Sequence, residues 1–229
     1  MKTYLGFCTQ SGTKDALKSK YGKYSILSSE QFSEIDVVSP YYENAKKLPE
    51  RYNHLINSYK HEDCVLVLTH DDLVITDKNW IDKLHKALET YDVVGLAGGT
   101  NATISRPCLW HVMCSERSGT VTHVNLSNNS TFNTHFGKNG RVLILDGLFL
   151  AFNPKKLFNQ GITFDESNPC IAHFYDIDFS LTCNKHQLKL GTVNINATHC
   201  SPGLREYTQD WLKGEEWFLN KISSGGYYI

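Results

Sequence analysis

Long apolar runs, an excess of charge and paired cysteines are all missing from this chain of 229 residues. No segment approaches the roughly 18 consecutive apolar residues of a membrane-spanning helix, so no transmembrane segment is expected. Twenty-three Lys and Arg face 24 Asp and Glu, a formal net charge of −1. The broad basic face that duplex nucleic acid needs is therefore absent, and no nucleic-acid partner is expected. Seven cysteines, at 8, 64, 108, 114, 170, 183 and 200, form no CxxC pair. That spacing argues for reduced thiols filling a core over a zinc knuckle or a disulfide framework. The opening MKTYLGFCTQSG breaks into polar residues too soon to read as a signal peptide. N-x-S/T sequons at Asn101, Asn125, Asn128, Asn129 and Asn196 would matter only in a secretory compartment. A cytoplasmic protein is the expectation.

What is present is ample core material. Hydrophobic residues make up 41% of the chain, enough to bury a full core in one domain over 1–229. Strand-like and helical segments alternate through the first hundred residues, the pattern of βαβ units on a mainly parallel sheet. TYLGFC, SEIDVV stopped by Pro40, and CVLVL read as strands; GTKDALKSKYG, LPERYNHLINSY and TDKNWIDKLHKALE read as helices. CVLVL is apolar throughout, as a central strand buried on both faces should be. Further on, CLWHVMC and TVTHV read as short strands, and 125–140 as a long polar loop. RVLILDGLFLAF is a strand broken at Asp146-Gly147, YDIDFSLTCNKH a helix, LKLGTVNIN a strand and LREYTQDWLKGEEWFLNKI a C-terminal amphipathic helix. The fold class expected is α/β, with a doubly wound first half and a mixed second half.

Chemistry gathers at three places. His70, Asp71 and Asp72 follow the strand CVLVL, where open α/β sheets bind ligands. Two adjacent carboxylates at a dry strand end repel and lose solvation, so a cation or several donors must compensate them. Acidic pairs also cap helices, which is the structural alternative. In FYDIDFSL, Asp176 and Asp178 stand at a helix start, where carboxylates suit the helix dipole. Two residues apart, they point to different sides, Asp178 towards structure and Asp176 towards a cleft. His199 in NATHCSPG stands on the loop side of a strand. Asp72 and His199 with substrate phosphates form an oxygen and imidazole set that suits Mn2+ or Mg2+.

Five segments in order, YNHLINSYKHEDCVLVLTHDDLVI, VVGLAGGT, DGLFLAFNPKKLFNQGITFDES, HFYDIDFSL and THCSPG, together resemble GT-A fold glycosyltransferases. The similarity is to the family 2-like group that includes StrF-type domains, and it spans about residues 50 to 203. The resemblance implies a GT-A, Rossmann-like fold with a nucleotide-sugar-binding half over 1–100 and an acceptor-binding half over 101–229. It implies a hexosyl- or deoxyhexosyltransferase that uses a nucleotide-sugar donor, UDP-sugar favoured, and a glycan or small hydroxyl acceptor. His70-Asp71-Asp72 takes the place of the family's Asp-x-Asp motif, with Asp72 and His199 as metal ligands. Asp176 takes the place of the catalytic base, with Tyr175 where an acid usually precedes it. Thr9, Asp36, Asn53, His70 and Asp71 fall on the donor side, and Trp110, Asp146 and Gly147 on the acceptor side. The loop 125–140 is either a lid ordered by donor binding or simply disordered. A non-catalytic nucleotide- or sugar-binding module, and a metal-dependent nucleotidyltransferase or hydrolase, remain the alternatives.

Overall fold

The computed structural model describes residues 1–8, 35–41, 47–101, 106, 109–124, 128, 130–200 and 207–227. The helix expected over GTKDALKSKYG, the donor-side Thr9 and the Pro202-Gly203 turn lie outside the described residues. So does the side chain of Asp36, whose backbone belongs to strand β2.

The main sheet has seven strands. They are β1 (Lys2–Cys8), β2 (Ile35–Tyr41), β3 (Cys64–Thr69), β5 (Val93–Gly95), β9 (Arg141–Val142), β11 (Phe149–Phe152) and β12 (Leu190–Thr192), in the order β2-β1-β3-β11-β5-β12-β9. β1 runs parallel to β2 and β3, β5 parallel to β12, and β11 antiparallel to both β3 and β5. β2, β1, β3, β5 and β12 therefore share one direction, so the sheet is mainly parallel as expected. β2 continues through Pro40 to Tyr41 where the sequence reading stopped it. It is the last strand on its side, and an edge tolerates a residue with no N–H to donate.

A second sheet runs β10 (Ile144–Leu145), β6 (Ala97–Gly99), β7 (Arg117–Val124), β13 (Ala197–His199) and β4 (Leu73–Ile75), with β8 (Thr131–Gly137) paired to β7. The chain passes repeatedly between the sheets. VVGLAGG, which reads as one strand, is β5 in the first sheet and β6 in the second, with Leu96 between them. Gly119 allows the adjoining β7 to come this close: its φ is +102°, and a Cβ there would stand 2.0 Å from the Leu96 carbonyl oxygen. The stretch expected as a polar loop, 125–140, contains β8, so the lid reading does not hold over Thr131–Gly137. Thr, Phe and His in TFNTHFG satisfy the strand pattern once β7 offers an edge.

Among the described residues the helices are α1 (Leu48–Tyr59), α2 (Trp80–Leu88), α3 (Trp110–Met113), α4 (Pro154–Asn159), α5 (Tyr175–Lys185) and α6 (Gln209–Ser223). α3 replaces the strand expected over CLWHVMC. Its Trp110 fills the core beside Phe136, ring centroids 5.2 Å apart, so local packing outweighs the apolar run.

Strand alternation divides the core. Val65, Val67, Phe149 and Ala151 face a cluster that includes Trp80 and Leu84 of α2 and Trp211 and Phe218 of α6. Leu66, Leu68, Leu150 and Phe152 face a second cluster with Tyr52, Leu55 and Ile56 of α1. β3 is buried along its whole length, as the uninterrupted CVLVL implied. α5 joins both clusters, with Ile177 and Leu181 in one and Tyr175 and Phe179 in the other. Among the described residues no helix is long and apolar enough to cross a membrane.

Candidate active site

The His-Asp-Asp triplet lies where the chain leaves β3 of the first sheet for β4 of the second. Asp146-Gly147 makes the return crossing, from β10 to β11. The two crossings are tied together by the His70 amide, which donates to the Leu148 carbonyl at 3.1 Å. β13 pairs antiparallel with β4, setting His199 opposite Leu73, and the Cys200 amide donates to the Asp72 carbonyl at 2.9 Å. Backbone pairing thus delivers His199 to Asp72.

One ligand atom each from His70, Asp72 and His199 lies within 4.8 Å of the others. Oδ1 of Asp72 stands 3.2 Å from Nε2 of His199. Both atoms are buried and neither meets hydrogen-bond geometry with any partner. Burial works against charge on Asp72, yet His199 and His70 hold its carboxyl below the usual range. Burial likewise lowers His199, and Asp72 overrides it and raises the imidazole. His70 is lowered by burial, against the pull of Asp72, which favours the neutral ring. A neutral imidazole with a carboxylate and a second histidine, two of them with orphaned buried atoms, is a donor set that fits a divalent cation such as Mn2+.

α5 supplies the second part. Its first residue follows Phe174, a bulky residue held left-handed at φ 66°, ψ −14°. Such a backbone is costly for a β-carbon-bearing residue and persists where packing over-determines it; Phe174 is fully buried between Trp211 and Phe218. The resulting turn brings Asp176 to the second crossing. Gly147 N donates to its Oδ2 at 2.8 Å and Ile177 N to its Oδ1 at 3.0 Å. Burial and the neighbouring charge of Asp146 push Asp176 up to about 7, within the range a general base needs. Asp178 turns the other way, 1% exposed. It accepts from Lys221 at 2.5 Å and from the Tyr227 hydroxyl. Asp178 thus faces structure, as its spacing implied.

Other expected residues are placed differently. Asn53 commits its amide to the opposite segment, donating to Phe164 O at 2.9 Å and Glu166 Oε1 at 2.8 Å and accepting from Phe164 N at 2.8 Å. This clamps 164–166 to α1 and leaves the amide little to offer a donor. Trp110 is 3% exposed and presents no face to an acceptor. Asp71 is half-buried beside the cluster, and its neighbour His70, expected on the donor side, joins the metal-ligating group.

Tyr175 and His123 carry parts of the site that sequence reasoning left without a role. The Tyr175 hydroxyl lies 3.0 Å from His70 Nε2 and donates to Gly147 O at 3.2 Å. His123 sits on β7 opposite His199. Its ring centroid is 5.7 Å from that of His199 and 5.3 Å from the stacked, exposed Phe132. No motif marks His123, because its place depends on parallel pairing of β7 with β13.

Known proteins bear on this geometry. No curated protein matches the chain. Among solved structures, GalNAc-T7 with UDP, GalNAc and Mn2+ superposes with a TM-score of 0.55 at 11% identity, over 96% of this chain and 47% of the other. S. aureus TarS 1-349 in complex with UDP-GlcNAc gives 0.51 at 12% identity, over 100% of this chain and 68% of that one. The chain thus spans about half of GalNAc-T7. At this identity the likeness is one of fold, and that fold is GT-A. A family model described as glycosyltransferase-like family matches residues 24–221. With that span covering most of its length, this chain belongs to the glycosyltransferase-like family, in its family 2-like group.

Proposed function

We propose that the protein is a metal-dependent glycosyltransferase that moves a hexosyl or deoxyhexosyl group from a nucleotide-diphosphate sugar, UDP-sugar favoured, to a hydroxyl of a glycan or other acceptor, with inversion. The observation that carries this reading is the buried ion pair of Asp72 Oδ1 and His199 Nε2, 3.2 Å apart and without hydrogen-bond geometry to any partner. Such atoms cost free energy unless something satisfies them. Asp72, His199 and His70 would hold Mn2+ or Mg2+, which when bound supplies positive charge against a departing diphosphate. The family match and the GT-A fold support the sugar-transfer class. Two of the structures that resemble this one were solved with UDP, GalNAc and Mn2+ and with UDP-GlcNAc, which favours UDP.

Asp176 then acts as general base. Two backbone amides hold its carboxylate in place, and burial with Asp146 nearby raises its proton affinity. In a single displacement it accepts the acceptor hydroxyl's proton as that oxygen bonds to the anomeric carbon and the diphosphate leaves with the electrons of the broken C–O bond. Asp146, whose Oδ1 accepts from Leu148 N at 2.9 Å, and Gly147 form the wall beside Asp176 and are the acceptor-side elements. The donor-side reading of Asp71, with Thr9 and Asp36, stands with this proposal. A cytoplasmic setting, expected from cysteines that form no CxxC pair, is part of this reading.

The direct test is incubation with nucleotide sugars and Mn2+, with and without hydroxyl acceptors. Acceptor-dependent release of nucleoside diphosphate supports transfer. Release of nucleoside monophosphate would indicate a nucleotidyltransferase or hydrolase, and tight nucleotide binding without turnover a binding module.

A further inference from the structure

The Tyr175 hydroxyl has one hydrogen and three partners, Gly147, His70 and the Tyr52 side chain. It lies 3.2 Å from the Gly147 carbonyl oxygen and 3.0 Å from His70 Nε2. A carbonyl can only accept, so all three contacts are hydrogen bonds at once only when the hydroxyl hydrogen goes to Gly147 and the oxygen accepts from His70 and Tyr52. The hydroxyl oxygen is then an acceptor towards His70, and Nε2 must be the nitrogen that donates. A neutral imidazole has a single N–H, so the lone pair is left on Nδ1. His70 is also one of the three residues whose ligand atoms converge within 4.8 Å.

We propose that Tyr175 is a positioning residue: its hydroxyl fixes His70 as the Nε2–H tautomer, so that Nδ1 becomes a donor to the divalent cation shared with Asp72 and His199. The cation half of this inference rests on the metal reading above; the tautomer half stands on the hydrogen bonds alone. A ligating histidine whose other ring nitrogen donates to a fixed acceptor is held in both orientation and tautomer. The acceptor here is itself fixed. The Tyr175 ring packs edge-on to Tyr52 at 5.7 Å and tilted to Phe164 at 6.0 Å, and the residue is 2% exposed. Residue 147 must be a glycine for the hydroxyl to reach its carbonyl, because a Cβ there would stand 2.1 Å from the hydroxyl oxygen.

The test combines long-range 1H–15N NMR of metal-free protein labelled with 15N-histidine and titration with MnCl2. The His70 signals are assigned by their loss in His70→Gln. In the wild type we expect a protonated Nε2 and an unprotonated Nδ1. In Tyr175→Phe, which keeps the ring and removes the hydroxyl, we expect mixed tautomers and Mn2+ affinity weakened about 10- to 100-fold, while the metal-free fold is retained by circular dichroism. A wild-type His70 protonated on Nδ1 overturns the proposal, whether or not the variant folds. So does a Tyr175→Phe protein with unchanged tautomer and Mn2+ affinity within about twofold of wild type. A wild type that takes up no Mn2+ overturns the metal reading and the ligand role of Nδ1 together, while the tautomer still decides the role of Tyr175.

Discussion

Oδ1 of Asp72 faces Nε2 of His199 at 3.2 Å across the β4–β13 pairing, and neither atom has another partner. Under the proposed function each supplies a ligand atom to a shared cation. Wild-type protein should therefore gain thermal stability with MnCl2, by an amount that grows with concentration because the ion binds only the folded state. His199→Ala should lose most of that gain, and its metal-free melting temperature should fall, because the buried Asp72 carboxylate loses its partner. An undiminished Mn2+ shift in His199→Ala would remove this residue from the metal site.

Asp176→Asn keeps the shape of the side chain and removes the base. Transfer should fall by about 10²- to 10⁴-fold, with nucleotide binding within a few-fold of wild type. Because burial and Asp146 raise Asp176 to about 7, the wild-type turnover rate should climb with pH to a plateau above that value. The measurement is kcat from about pH 5.5 to 9, and a flat profile would point to another base.

Gly147→Ala tests the close approach at the second crossing. A Cβ would meet the Tyr175 hydroxyl at 2.1 Å and the Asp176 Cβ at 3.0 Å, and both neighbours are pinned by packing or hydrogen bonds. Overpacking of this kind costs about 1–3 kcal/mol. Chemical denaturation should show that loss, with activity reduced further because Asp176 loses its register with the Gly147 amide. Wild-type stability and turnover would mean that the crossing yields to an added methyl group.

Lys221 reaches from α6 to Asp178 at 2.5 Å and to Asp165 at 2.6 Å. Lys221→Met strands a buried carboxylate and should cost about 3 kcal/mol at neutral pH. Even with Lys221 present, burial raises Asp178 to about 6, above its ordinary value of about 4. Its contribution to stability is thus full below about pH 4 and lost as pH rises through 6. Without the cation the carboxyl rises further, so the gap between Lys221→Met and wild type should narrow towards pH 4 and widen towards pH 8. Adding Asp178→Asn should recover much of the loss. Urea melts across this range read both effects, and a pH-independent gap would contradict the pairing.

Much of the fold was legible in the chain because its signals are local. LPERYNHLINSY carries Pro49 at a helix start and apolar residues at helical spacing, and α1 spans those residues. CVLVL is apolar on both alternating faces, and β3 lies between two clusters. The segments that misread are those in which one local pattern serves two neighbours. VVGLAGG is continuous in sequence but divided between sheets at Leu96, and CLWHVMC is apolar like a strand yet coils so that Trp110 fills the core.

The site divides along the same line. Residue type and position at a strand end or helix start marked His70, Asp72, Asp176 and His199, since carboxylates and imidazoles in such places need a compensating partner. Their mutual arrangement was set by contacts between distant parts of the chain. The β4–β13 pairing brings His199 to Asp72, the crossing at Asp146-Gly147 raises and holds Asp176, and the Tyr175 hydroxyl orients His70. Local sequence records which groups ionise and which segments extend or coil. It does not record which two segments meet, and proton affinities, ligand sets and tautomers all depend on that meeting.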